Sequence, residues 1–253
     1  MNIIDTHAHL CDSSFDRDLP EVLKKAEMSG VKTVISVSED IDDAAKNLRI
    51  GGLFPMIRVA AGLYPSCLDL EEAEKVIVFI REERNRLVGI GEVGLDFWIV
   101  KEDSKKEIQK EIFRKFIELS TELSLPLNVH SRSAGRHAIS MLLENEAKKV
   151  QMHAFDGKAS AALPGVEAGF FFSIPPSVVR SRQKQKLVKR LPLSSLLVET
   201  DSPVLGKDPG ERNEPANARV VVEAISEIKK VPVEEVAECT FENTMNLYEQ
   251  LSP

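Results

Sequence analysis

Residues 87–130 read LVGIGEVGLDFWIVKEDSKKEIQKEIFRKFIELSTELSLPLNVH. The two ends, Leu87–Glu92 and Leu125–His130, are short apolar runs, the lengths of buried strands rather than helices. Between them Ile108, Ile112, Phe113, Phe116, Ile117 and Leu119 recur at helical spacing, so Lys105–Leu123 carries one apolar face. A strand, a long helix and a second strand in that order form a parallel crossover unit. The same alternation extends in both directions. Strands are expected at Asn2–His7, Thr33–Val37, Ile57–Ala61, Val150–His153, Gly169–Ser173 and Leu196–Asp201. Further helices are expected at Leu70–Glu83, Ala134–Glu146 and Val178–Lys189, and about Ala216–Ile228 and Val233–Leu251 finish the chain. Eight strands alternating with helices predict a closed (β/α)8 TIM barrel of the α/β class. The reading is one domain over residues 1–253, with an extra C-terminal helix.

The 253 residues carry 33 Lys plus Arg against 40 Asp plus Glu, a net charge of −7, and 43% are hydrophobic. That supports a full core and excludes a disordered chain, a fibrous repeat and a small disulfide scaffold. The longest uncharged run, Ala168–Val179, contains Pro175 and Pro176 and falls short of the ~20 residues a membrane helix needs. No membrane association or protein partner is expected. The opening MNIID shows no secretory signal, and Cys11, Cys67 and Cys239 are odd in number and far apart. A cytoplasmic location is therefore expected. The acidic balance argues against broad coating of nucleic acid. It leaves room for a phosphodiester substrate if metal ions supply positive charge locally.

Four of the five histidines fall at strand ends, on what would be the catalytic face of a barrel. In IIDTHAHL, His7 and His9 are two apart and share a strand face. His130 ends PLNVH, His153 ends VQMH, Glu92 ends strand four and Asp201 ends strand eight. Four imidazoles and two carboxylates suit two borderline divalent ions such as Zn²⁺ or Mn²⁺, with Mg²⁺ as a further option. His137, inside a helical pattern, reads as a surface or capping residue. Arg180–Arg190 (RSRQKQKLVKR) reads as a solvated helix face. Pro203–Glu214 is the longest loop, placed where functional loops emerge.

These stretches also resemble a family. IIDTHAHL, GIGEVGLDF, PLNVHSRSA, MHAFDG, LLVETDSPVL and RNEP occur in the order expected of the TatD family of metal-dependent deoxyribonucleases, from Ile3 to about Pro215. The resemblance implies that His7, His9, Glu92 and Asp201 bind one metal, and that Glu92 bridges to a second held by His130 and His153. It implies catalytic roles for Glu92 and Asp201 and DNA as the substrate. Three positions depart from the family pattern. Tyr64 replaces a histidine in GLYP, Ser133 replaces an acid in HSRSA, and MHAFDG carries Ala154 and Asp156.

Paired cations about 3.5–4 Å apart would lower the pKa of a water and neutralise charge on a pentacoordinate phosphorus. Asp201 could accept the water proton. Arg132, Arg212, Asn213 and Tyr64 are the candidates for gripping substrate, arginine because its planar fork matches phosphate. The rival readings are hydrolysis of another ester or amide on the same metals, such as D-aminoacyl-tRNA deacylation, and a non-catalytic nucleic-acid-binding barrel. Strand parity sets Asp5, Asn128, Gln151 and Glu199 one layer below the ligands. Buried polar groups there are expected to hydrogen-bond the ligand imidazoles or neighbouring donors and so fix the imidazole tautomers.

Overall fold

A computed structural model describes residues 1–251. Eight parallel strands lie in sequential order: β1 (Ile3–Ala8), β2 (Val31–Ser36), β3 (Ile57–Ala61), β4 (Gly89–Gly94), β5 (Leu127–His130), β6 (Val150–Met152), β7 (Phe171–Ile174) and β8 (Leu196–Val198). The ends meet: Asp201 N–H donates to the His7 carbonyl at 2.8 Å and His9 N–H to the Ser202 carbonyl at 2.7 Å. The ring is thereby nearly closed, a (β/α)8 TIM barrel. Between the strands run α1 (Leu19–Met28), α2 (Ile41–Leu53), α3 (Leu70–Glu83), α4 (Asp103–Leu123), α5 (Gly135–Glu144), α6 (Ala159–Glu167) and α7 (Arg182–Arg190); α8 (Ala218–Lys229) and α9 (Val233–Leu247) follow.

Local chemistry sets the helix starts. Asp40 accepts from Asp43 N–H at 2.8 Å to cap α2, and Asp69 accepts from Glu71 N–H at 2.8 Å to cap α3. The faces of α4 marked by Ile112, Phe113, Phe116 and Ile117 are buried against the sheet. Strand bounds differ from the sequence expectation by a few residues. The largest difference is at β8, expected to reach Asp201. The ladder stops at Val198, and Asp201 itself has a left-handed φ of 57°. The helix expected at Val178–Lys189 begins later, after a short 3₁₀ turn over Pro176–Val179.

Two apolar clusters divide the core. The larger joins strands to helices, while a smaller one gathers Ile35, Val37, Ala60, Val88 and Leu197 with Leu247 and Tyr248. On β8 Leu196 and Val198 belong to the first and Leu197 to the second, the alternation a half-barrel wall requires. Tyr248 follows α9, is fully buried, and sits close to Gly89 at the start of β4. It therefore fills the interior from the N-terminal end of the strands. Its hydroxyl donates to Gln151 Oε1 at 2.7 Å and lies 3.3 Å from Asn128 Nδ2.

Removing that hydroxyl would strand buried amide atoms of Gln151 and Asn128. Tyr248→Phe is expected to lower unfolding stability by about 1–3 kcal/mol, with an unchanged denaturant slope. A urea midpoint equal to that of the parent would refute this role.

Candidate metal centre

Six side chains converge at the C-terminal rim. His7 is on β1 and His9 just beyond it; Glu92 is on β4, His130 ends β5, His153 follows β6 and Asp201 lies three residues past β8. Gly94, with φ +143°, has no space for a Cβ because the His130 backbone lies against it. The absent side chain lets β4 and β5 close up, setting Glu92 beside His130. Left-handed Asp201 turns the chain sharply after β8 while keeping its N–H on β1.

Glu92 is 2% exposed and presents a different oxygen to each side. Oε2 lies 3.6 Å from His7 Nε2 and 3.4 Å from His9 Nε2. Asp201 Oδ1 is 3.4 Å from each of the same two nitrogens, which are 3.2 Å apart. Donor atoms bound to one ion at about 2.0–2.1 Å stand about 3–3.5 Å from each other, so this spacing fits a metal. The other oxygen, Oε1, contacts His130 Nδ1 at 2.5 Å and lies 3.9 Å from His153 Nε2. His153 Nε2 is 3.8 Å from Asp201 Oδ2. Both His7–His9–Asp201 and Glu92–His130–His153 are tight enough groups to hold an ion.

The electrostatics agree. Burial works against charge on Glu92 and Asp201, yet the surrounding imidazoles hold both carboxyls far below the usual carboxylate range. Burial likewise opposes a charged His130, but Glu92 and Asp96 overcome it and push this imidazole up to about 9. The cluster demands positive charge. Protons supply it without metal, and a divalent ion fills the same need.

A second layer orients the candidate ligands. Asn128 Oδ1 accepts from His7 Nδ1 at 2.8 Å, and Glu199 Oε2 from His153 Nδ1 at 2.8 Å, leaving each Nε2 free for an ion. Glu199 also accepts from Ala154 N–H at 3.0 Å and Ser173 Oγ at 2.5 Å. Gln151 touches no ligand; it links Thr6, Ser173 and Tyr248. Asp5 bonds neighbouring donors rather than a ligand imidazole. A register shift between Asp5 and Ala8 breaks the alternation, so Thr6 meets Gln151 while Asp5 accepts from Thr200 N–H and Oγ1. Asp5 holds no ligand imidazole, only the His7 backbone N–H at 3.3 Å. Burial pushes its carboxyl up to about 7.

A cavity of about 420 Å³ opens over the cluster, lined among others by Tyr64, Arg132, Lys184 and Val204. Tyr64 donates to Asp96 Oδ2 at 3.2 Å and meets the His130 ring edge-on, centroids 5.0 Å apart. Arg132 is exposed, with no carboxylate partner among the described residues. The other two substrate candidates are elsewhere. Arg212 is held by Asp18 and Glu214, with its guanidinium over Phe15, because the long loop folds back against the start of α1. Asn213 is buried and braces that loop, donating to the Thr200 and Val204 carbonyls.

Three residues of the site escaped the sequence reading. Asp96 Oδ2 lies 3.1 Å from His130 Nε2; it follows β4 in an otherwise apolar run, and its approach to β5 depends on the loop path. Lys184 is 8% exposed and donates to the Ala154 carbonyl at 3.1 Å, one inward residue in a stretch whose charges read as solvated. Trp98 stands exposed beside Arg132. Asp156 also gains a partner, accepting from Ser133 N–H at 3.0 Å, so two of the departures from the family pattern meet.

A barrel carrying such a rim of histidines and carboxylates is a metal-dependent hydrolase scaffold. The chain belongs to the TatD related DNase family, whose model matches residues 4–249. It is 43% identical to the human protein named deoxyribonuclease TATDN3, over 99% of this chain and 96% of that one. It is 34% identical to YabD of Bacillus subtilis, described as an uncharacterized metal-dependent hydrolase, over 97% and 98% of the two chains. Among solved structures, YJJV, a TatD homologue from Escherichia coli K12, superposes with a TM-score of 0.90 at 25% identity, covering 98% of each chain.

Two outcomes follow for metal binding. Glu199→Gln keeps the direct ligands but weakens the acceptor at His153, and is expected to reduce metal affinity ~10–100-fold. Wild-type affinity in this variant would remove Glu199 from the site. With His130 protonated up to about 9, metal uptake at pH 7 must release a proton. Apparent affinity should then weaken as pH falls below 9, by roughly tenfold per unit for each proton displaced. Calorimetric heats that do not vary with buffer ionisation enthalpy would contradict this.

Proposed function

We propose that this protein hydrolyses DNA phosphodiester bonds with two divalent ions, Zn²⁺ or Mn²⁺ by donor type. One observation carries the reading: the two oxygens of Glu92 face different imidazole pairs, His7 with His9 and His130 with His153. The name of the human relative, a deoxyribonuclease, supports the substrate. When bound, the ions would supply Lewis-acid charge and lower the pKa of an attacking water. Asp201, with its second oxygen turned to His153, is placed to take the water proton. Lys184 and Arg132 line the cavity where a phosphate would sit. Tyr64, in the position of the family histidine, is tied through Asp96 to His130 and holds that imidazole's outer nitrogen in place.

We place the protein in the cytoplasm, supported by the free thiols of Cys11, Cys67 and Cys239. No helix among the described residues is long and apolar enough to cross a membrane.

The test is turnover of labelled single- and double-stranded DNA by metal-reconstituted protein, beside a D-aminoacyl-tRNA and simple esters. DNA cleavage is expected, falling ~100-fold or more in Glu92→Ala. Undiminished DNA hydrolysis by Glu92→Ala, with contaminating nuclease excluded, would end the two-metal reading. Turnover of the aminoacyl ester alone would replace the substrate.

A further inference from the structure

The β4–α4 loop carries an aromatic side chain that packing does not explain. Trp98 is 57% exposed and Ile99 beside it 50%. The loop is nonetheless firmly built. Asp96 Oδ1 accepts from Trp98 N–H at 2.8 Å and Ile99 N–H at 2.9 Å, while its other oxygen contacts His130 and Tyr64. One carboxylate thus couples the position of the indole to the metal centre.

Two cations flank the ring. The Arg132 guanidinium carbon lies 5.1 Å from the indole centroid and Lys101 Nζ 4.9 Å. Neither has a carboxylate partner among the described residues, and Arg132 also lines the cavity over the ligands. An exposed tryptophan between unpaired cations, one guanidinium away from a phosphodiester site, combines aromatic stacking with charge complementary to a nucleic-acid backbone.

Resting on the phosphodiesterase reading above, we propose that Trp98 is a stacking platform for the nucleobase next to the bond being cleaved, with Arg132 spanning base and phosphate. The base must be unstacked to reach it, so the occupant is single-stranded DNA or the frayed end of a duplex. Trp98 acts in substrate binding and specificity; it does not touch the reacting atoms.

Trp98 is the lone tryptophan of the chain, so its fluorescence reports this site alone. The probe is a phosphorothioate oligothymidylate of about eight nucleotides, long enough to fill a single-strand groove, added to metal-loaded protein. Quenching is expected with this strand, and not with an abasic strand of the same backbone or a blunt duplex. In parallel, Trp98→Ala should raise KM for single-stranded DNA roughly 5- to 100-fold with little change in kcat, and Trp98→Phe should restore part of the loss. Binding without quenching, equal quenching by the abasic strand or the blunt duplex, or an unchanged KM in Trp98→Ala would overturn the platform. Wild-type protein that cleaves neither DNA strand nor duplex would instead remove the phosphodiesterase reading, and the fluorescence titration would still decide the stacking.

Discussion

Glu92 is a charged carboxylate sealed in the top of a barrel, and nearly everything at the rim answers to it. A buried carboxylate left alone costs several kcal/mol. Here both its oxygens face imidazole nitrogens, four rings drawn from three strands. Three of those rings are held from behind, His7 by Asn128, His153 by Glu199 and His130 by Asp96. The arrangement balances charge only if positive charge enters the cluster. Protons can provide it, but they occupy the donor atoms that make the site useful. A divalent ion provides it and leaves an electrophile at the mouth of a cavity.

The demand for order reaches down the barrel. Asn128, Gln151, Thr6 and Ser173 replace the branched apolar residues that fill most barrel interiors, and they hydrogen-bond one another. Such a network is stable only when every member is satisfied. Tyr248 completes it from below, bringing an aromatic ring to the apolar end and a hydroxyl to the amides. The segment after α9 is thus part of the site's foundation, although Tyr248 is separated from the candidate metal ligands by the amide layer.

The sequence was informative where a rule of period or position connects residue to place. Strand ends announced His7, His9, Glu92, His130, His153 and Asp201, because a parallel barrel sets all such ends on one face. Parity set Asn128 below His130 and Glu199 below Asp201, but each reaches across to a histidine of another strand, His7 and His153. Asp5 meets neighbouring donors, Thr200 N–H and Oγ1, and no ligand imidazole, beside a register shift between β1 and β2 that leaves no mark in local spacing. Arg212 has the chemistry of a phosphate ligand, yet Asp18, far away in sequence, captures it. Asp96 and Lys184 were invisible for the complementary reason. Their roles come from where a loop and a helix face settle, which depends on contacts between distant segments.

The distribution of charge bears on how an acidic protein would receive the phosphodiester proposed for it. A net charge of −7 repels an anion at long range, but salt screens charges beyond about 8–10 Å. Closer in, cations stand among the acids. Arg132 and Lys184 line the cavity together with exposed Glu39 and Asp156, Lys101 stands near Trp98, and the buried Glu92 and Asp201 face imidazoles. Lys184 is the sharpest case. Burial pulls its pKa down, while Glu199, Asp201 and Asp156 favour its charge. A polyanionic strand entering the cavity would add to that second influence, so substrate binding and a charged Lys184 reinforce each other.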